Sequence, residues 1–432
     1  MANMRRTCSL VASFVLISMG LVLTTASSAW ASDTFSVLYD FDYYTGDFPI
    51  GNLIFDSAGN LYGTTSEGGL ESPNCPYNCG VVFELSRSGG AWTYTVLYYF
   101  TGGEDGGEPH GRLTLDSEGN LYGTAYVGGL DDCPAGCGTV FELSPSNGNW
   151  TFALLHSFAG SDGSSPWTGL TPDNSGNLYG TTTGAGSGGA PSTIFELVPS
   201  GGGGWTFSTL YYPSFSDGTT LLSDLAIDGS GNLYGAASEG GNPRADCDNG
   251  CGTVFELSPS GGSWNFSVLH TFRGTKNGAK TGDGGGPLGA LALDSAGNLY
   301  GTTEFGGKVC SFCGGTVFKL SQSSGKWKEQ ILHRFGGPDG AGPMGGVTMD
   351  ETGNLYGTTN YGGTSCSDCG TVFKLAPRKG SGWKFTSLYS FTDGADGGLP
   401  YAGVISDALG NLYGTTTFGG PDFGGTLFEL SL

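Results

Sequence analysis

Beyond its first thirty residues the chain is a series of short apolar runs separated by small and polar residues. In one stretch the runs read "GRLTLD", "NLYGTA", "GTVFELS" and "WTFALLHSF", each rich in β-branched or aromatic residues and bounded by Gly, Pro, Asp or Ser. Short runs of this composition, punctuated by turn formers, predict β-strands. No run in this region carries an apolar stripe of helical period and helix length. The four runs return seven times. Each set is marked by "GNLYG", starting at Gly59, Gly119, Gly176, Gly231, Gly297, Gly353 and Gly410, at intervals of 55–66 residues. A period this long is a multi-strand unit, too long for one coil of a solenoid. Four strands per unit, repeated, predict an all-β fold: a seven-bladed β-propeller of four-stranded blades.

The ends of the pattern bear on closure. A fourth-strand run, "FSVLYDF", precedes any first strand, and the last unit ends at "GTLFELSL" without its own fourth strand. The N-terminal strand therefore completes the last blade and closes the ring, which removes unpaired sheet edges. The expected blades are 49–100, 109–158, 166–215, 221–272, 287–335, 343–391, and 400–432 plus 34–41, together one domain over 32–432. The recurring "D-x-x-G-N" joins strands one and two as a tight turn, with Asp accepting amide hydrogen bonds and Gly supplying a left-handed residue. It lacks the alternating ligands of an EF-hand loop. Residues 1–31 read as a signal peptide: a basic "MANMRR", an apolar "CSLVASFVLISMGLVL" and small residues at Ala29 and Ala31. The expected location is secreted, periplasmic or extracellular, with no membrane insertion after cleavage.

Composition sharpens this picture. There are 82 glycines among 432 residues, but aromatic residues make up 12%, so the glycines serve turns rather than disorder. A formal charge of −22 disfavours nucleic acid and anionic membranes as partners. A monomer that meets a cation or a neutral polymer fits better. Five close cysteine pairs stand just before the third strand: Cys75 and Cys79, Cys133 and Cys137, Cys247 and Cys251, Cys310 and Cys313, Cys366 and Cys369. Each blade offers only two thiols, so zinc knuckles are disfavoured and disulfides within each loop are expected.

Catalytic motifs are missing from the sequence. There is no "G-x-S-x-G", no "H-E-x-x-H" and no phosphate-binding loop, so no catalytic or metal-ligating residue is assigned. His156, His270 and His333 share a repeat position with Tyr39, Tyr98, Tyr211 and Tyr389, which marks it as a packing position. Strand direction puts the loops between strands four and one on the same face as the cysteine loops. At the start of the innermost strands on that face stand Ile50, His110, Trp167, Leu222, Leu288, Met344 and Tyr401. Before them come Asp105, Asp162, Asp217, Asp283, Asp339 and Asp396, which either start Asp-Gly turns or line an acidic mouth. Aromatic planes suit sugar rings, and carboxylates suit hydroxyl groups or calcium. The candidate ligand residues are therefore His110, Trp167, Met344 and Tyr401 with the Asp set. No cofactor is expected apart from calcium on that Asp set.

The linked motifs "GNLYGTT", "GG", "GTVFELSP", "W" and "LY-F" resemble the GloVer tandem repeat, named for Gloeobacter and Verrucomicrobia, over residues 33–432. "DSAGNLY" is more loosely similar to NHL-type propeller repeats. The resemblance implies an exported bacterial protein and no particular activity. The expected role is an exported binding or scaffold propeller that recognises a glycan, a peptide or a cation on the loop-rich face. The alternatives are a polysaccharide-active propeller enzyme, hydrolase or lyase, and a purely structural surface or adhesion protein.

Overall fold

Each repeat folds as one antiparallel sheet whose strands follow chain order. The computed structural model describes residues 34–129, 133, 135–184, 190–243, 247–274, 282–306, 314–380 and 382–432. The expected signal peptide lies outside them, as do Cys310 and Cys313. Among the described residues there are seven four-stranded sheets and no helix. Blade 1 consists of Ile54–Phe55, Leu61–Thr65, Val81–Ser88 and Ala91–Tyr99. Blades 2 to 6 repeat it over 114–157, 171–211, 226–271, 292–334 and 348–390. Blade 7 takes three strands from 405–431 and its fourth from Thr34–Asp40. That strand pairs antiparallel with Thr426–Ser431, from Thr34 opposite Ser431 to Asp40 opposite Thr426. The expected seven-bladed ring, closed by the N-terminal strand, is the observed fold.

The repeated string has a physical reason at each letter. Asp56 Oδ1 accepts the amides of Ala58 and Asn60, both at 2.8 Å. Its Oδ2 accepts from the Asn60 side chain at 2.8 Å and the Tyr62 hydroxyl at 3.3 Å. Gly59 turns the chain at φ 86°. Leu61 is buried in the core, and Gly63 lies opposite Phe83 on the third strand. A Cβ on Gly63 would stand 2.6 Å from the Phe83 ring and 2.9 Å from Leu53. The glycine exists because the ring lies over it. The same Asp–Asn–Tyr bonding recurs in the second blade, at Asp116, Asn120 and Tyr122.

The core is not central but lies between blades. Seven apolar clusters fill the seven junctions. The cluster of Phe41, Leu53, Leu61, Phe83, Leu85, Tyr413 and Leu427 joins the last blade to the first. Strand-two threonines reach across the same junctions: Thr64 donates to Gly111 O at 3.4 Å, Thr124 to Thr168 O at 2.7 Å and Thr358 to Ala402 O at 2.6 Å. Thr415 makes this bond to Pro49 O at 3.3 Å across the closing seam.

Candidate binding face

Two sets of loops share one face and are stitched to each other. In six blades the entering segment pairs with that blade's own second-to-third-strand loop, at Asp47–Glu67, Gly107–Val127, Thr219–Glu239, Gly285–Phe305, Ala341–Tyr361 and Gly398–Phe418. Disulfides close the loops at Cys75–Cys79, Cys133–Cys137, Cys247–Cys251 and Cys366–Cys369, with Cα separations of 5.2–5.5 Å. They also support the neighbouring loop. A Cβ on Gly102 would meet Cys75 Sγ at 2.7 Å, and one on Gly285 would meet Cys247 Sγ at 3.1 Å. The opposite face carries the "D-x-x-G-N" turns and the hairpins between strands three and four.

At the centre of the loop-rich face the seven side chains singled out by sequence position converge. Ile50, His110, Trp167, Leu222, Leu288, Met344 and Tyr401 line one axial cavity of about 50 Å³. His110 and Trp167 have ring centroids 3.9 Å apart, Tyr126 lies 4.8 Å from His110, and Tyr401 lies 6.4 Å from Trp167. This aromatic group stoppers the axis. Below it the innermost backbones nearly touch: a Cβ on Gly51 would be 2.9 Å from Gly111 O, and one on Gly403 2.7 Å from Gly345 O. Arg112 and Asp224 form an ion pair there at 3.7 Å. Burial pushes the His110 imidazole down to about 3, so it is neutral, and its Nδ1 has no hydrogen-bond partner. Burial, with Glu304 nearby, pushes the Tyr401 hydroxyl up to about 12. A space of this size holds a few waters and no sugar ring.

The Asp set stands elsewhere, under the outermost strands. Asp105 accepts from Tyr98 at 3.0 Å, Asp162 pairs with His156 at 2.9 Å, Asp217 accepts from Tyr211 at 3.0 Å, Asp339 pairs with His333 at 2.9 Å, and Asp396 accepts from Tyr389 at 3.0 Å. Each also takes the turn amide of Thr101, Ala159, Ser214, Gly336 or Thr392. None of the six lines the axial cavity. The Tyr or His ring above each Asp stacks on an aromatic ring of the next blade. The pairs are Tyr98–Phe152, His156–Phe207, Tyr211–Phe266, His333–Phe385 and Tyr389–Phe35, with Tyr39–Tyr94 at the seam. Asp283 with His270 departs from this pattern. The sequence signal for these pairs was present: an Asp follows the ring by six or seven residues in five of the repeats.

Two features that position alone did not mark also belong to this face. The residue just before the mouth is left-handed in all seven blades, and in five it is not glycine: Phe48, Glu108, Ser165, Thr220 and Leu399, with φ between 53° and 60°. Such residues cost on the order of 1–3 kcal/mol and gather at functional sites. In addition, exposed large apolar side chains crowd the loops of this face. Tyr43, Tyr44, Leu70, Tyr77, Phe418 and Phe423 lie around the seam, with Tyr44 78% and Phe423 72% exposed. Backbone bonds from Gly69 to Tyr43 O, from Gly68 to Tyr77 O and from Phe48 to Gly424 O knit these loops together.

Seven stitched blades around a stoppered axis define a β-propeller repeat protein. The chain belongs to the Gloeobacter/Verrucomicrobia repeat family, whose model matches residues 22–133, 71–284 and 244–432. The curated proteins contain no match to it. Among solved structures it is similar to a protein of unknown function from Dyadobacter fermentans DSM 18053. The two are 12% identical with a TM-score of 0.41, over 83% of this chain and 98% of that one.

Proposed function

We propose that the chain is an exported binding or scaffold propeller that recognises an extracellular polymer, a glycan in the first place, on its loop-rich face. The observation that carries this reading is the exposed aromatic patch at the seam: Tyr43, Tyr44, Tyr77, Phe418 and Phe423. An exposed apolar patch on one face marks an interaction site. Aromatic planes bury the C–H faces of sugars without demanding polar partners. The carboxylates of Asp42 and Asp422 in the same loops accept hydroxyl hydrogen bonds and repel anionic polymers. Trp167 and Tyr401 supply the floor at the axis, with His110 and Met344 packed beside them, and the narrow cavity keeps the ligand on the surface. Loop disulfides support export, because they persist in oxidising compartments. Among the described residues no helix is long and apolar enough to cross a membrane.

A glycan-array screen with and without calcium tests the proposal. A hit is then measured against Tyr44→Ser/Phe423→Ser at the rim and Trp167→Ala at the floor. The expected result is binding weakened at least tenfold by the rim variant, with an unchanged melting temperature. Binding that survives the rim variant moves the site away from the seam. An array with no hit in either condition favours a protein ligand or a purely structural role.

A further inference from the structure

One blade junction breaks the ring's symmetry with chemistry rather than shape. Six junctions stack the Tyr or His of one outer strand on an aromatic ring of the next. Between blades 4 and 5 the second position is Glu329. His270 there faces two carboxylates, Asp283 Oδ2 at 3.6 Å and Glu329 Oε2 at 3.7 Å. At the equivalent His156 and His333 the Asp closes to 2.9 Å, a normal hydrogen bond. Here it stands off, outside hydrogen-bond range. His270 Nε2 and Glu329 Oε1 are inaccessible to solvent and have no hydrogen-bond partner.

We propose that His270, Asp283 and Glu329 form a binding site for a divalent cation of the zinc type. The three donor atoms lie within 4.8 Å of one another. With Zn–N and Zn–O bonds of about 2.0–2.1 Å, two ligands on a tetrahedral centre sit roughly 3.3–3.5 Å apart. The separations from His270 are therefore long for a hydrogen bond and close to those of two ligands sharing an ion. Nitrogen with two carboxylate oxygens is a zinc donor set, and water completes the fourth position. The second shell is in place: Asp283 Oδ1 accepts the Arg273 amide at 2.9 Å, which orients Oδ2 toward His270. Arg334, whose charge reaches Glu329, donates its guanidinium hydrogen bond to Gly282 O. The two carboxylates balance the ion's charge. The ion would tie the outer strand of blade 4 to that of blade 5, where other junctions use stacked rings.

The repeat itself supplies the test variants. Glu329→Phe restores the ring found at this position in most other blades, and His270→Tyr restores the Tyr–Asp bond, so both are built to keep the fold. Full-length, disulfide-intact protein is stripped with EDTA, loaded with zinc and assayed for bound metal and for melting temperature. The parent protein is expected to hold one zinc and to melt higher with it. Either substitution should weaken binding by roughly 100-fold or more, since a lost ligand costs more than a lost group behind one. Cobalt in place of zinc should give d–d bands without a thiolate charge-transfer band, which separates this site from the cysteines. No zinc on the parent protein, equal zinc on Glu329→Phe and His270→Tyr, or a thiolate band from cobalt would overturn the proposal.

Discussion

Glycines in strand two do different work from those in the turns. Gly59 has open space beside it, whereas Gly63 lies under the Phe83 ring with Leu53 alongside. A methyl group at Gly63 must displace a ring in a close-packed junction. Gly63→Ala should therefore cost about 1–3 kcal/mol, the usual penalty for overpacking. Denaturant unfolding with an unchanged m-value would measure it. The left-handed residues before the mouth make the opposite trade: Thr220 and Leu399 hold side chains at φ 59° and 53° where Gly286 and Gly342 serve in sister blades. Five copies keep the strain that a glycine relieves in the other two.

A blade is an element with two kinds of loop. The turns on one face are fixed by Asp, Asn and Tyr side chains, while the loops on the other lean on disulfides. The pair in Cys75–Cys79 spans four residues, so little chain entropy is removed on closing it. Blades 3 and 7 have no cysteine at the equivalent loop position. Reduction should accordingly speed hydrogen exchange in the second-to-third-strand loops while the ring still melts in one transition; loss of that transition would make the disulfides part of the core. Most of the blade was legible in the sequence, because seven copies expose each strand, each turn and the split last blade. The convergence of His110, Trp167, Met344 and Tyr401 was legible too, since equal repeat positions point at one axis. The stacking of each outer ring on the next blade's aromatic was not. It depends on how one blade docks on another, which no single repeat encodes. Likewise Glu329 reads as an ordinary surface residue until Phe152, Phe207 and Phe266 are seen at its equivalent positions.

The whole ring carries opposed sets of carboxylates. Burial, together with Asp47 and Glu108, pushes Glu67 up to about 7, and burial alone does the same for Glu304. Their folded forms hold protons that the unfolded chain has released, so their contribution falls as pH rises from about 4.5 to 7. Burial also works against the charged turn residues Asp116, Asp228, Asp294 and Asp350, but hydrogen bonds from Asn and amide partners outweigh it and hold them below the ordinary value. Their contribution is lost below about pH 4. Self-repulsion from a charge of −22 adds to the alkaline side. In metal-free buffer the melting temperature should peak in the mildly acidic range, between about pH 4 and 5.5, and be lower at pH 8; a flat or rising profile between those limits would contradict it. The seam also sets a timetable. Of the described strands, Thr34–Asp40 leaves the ribosome before all others and its partner Thr426–Ser431 after them. At synthesis rates of about 5–20 residues per second, the first strand waits roughly 20–80 s for the strand it pairs with. Six blades can assemble from neighbours in sequence, but the seventh lacks its fourth strand's partner until Thr426–Ser431 has emerged. A product that stops short of Thr426–Ser431 therefore keeps an unmatched strand at its front, and emergence of that late partner is the signal that lets the circle shut.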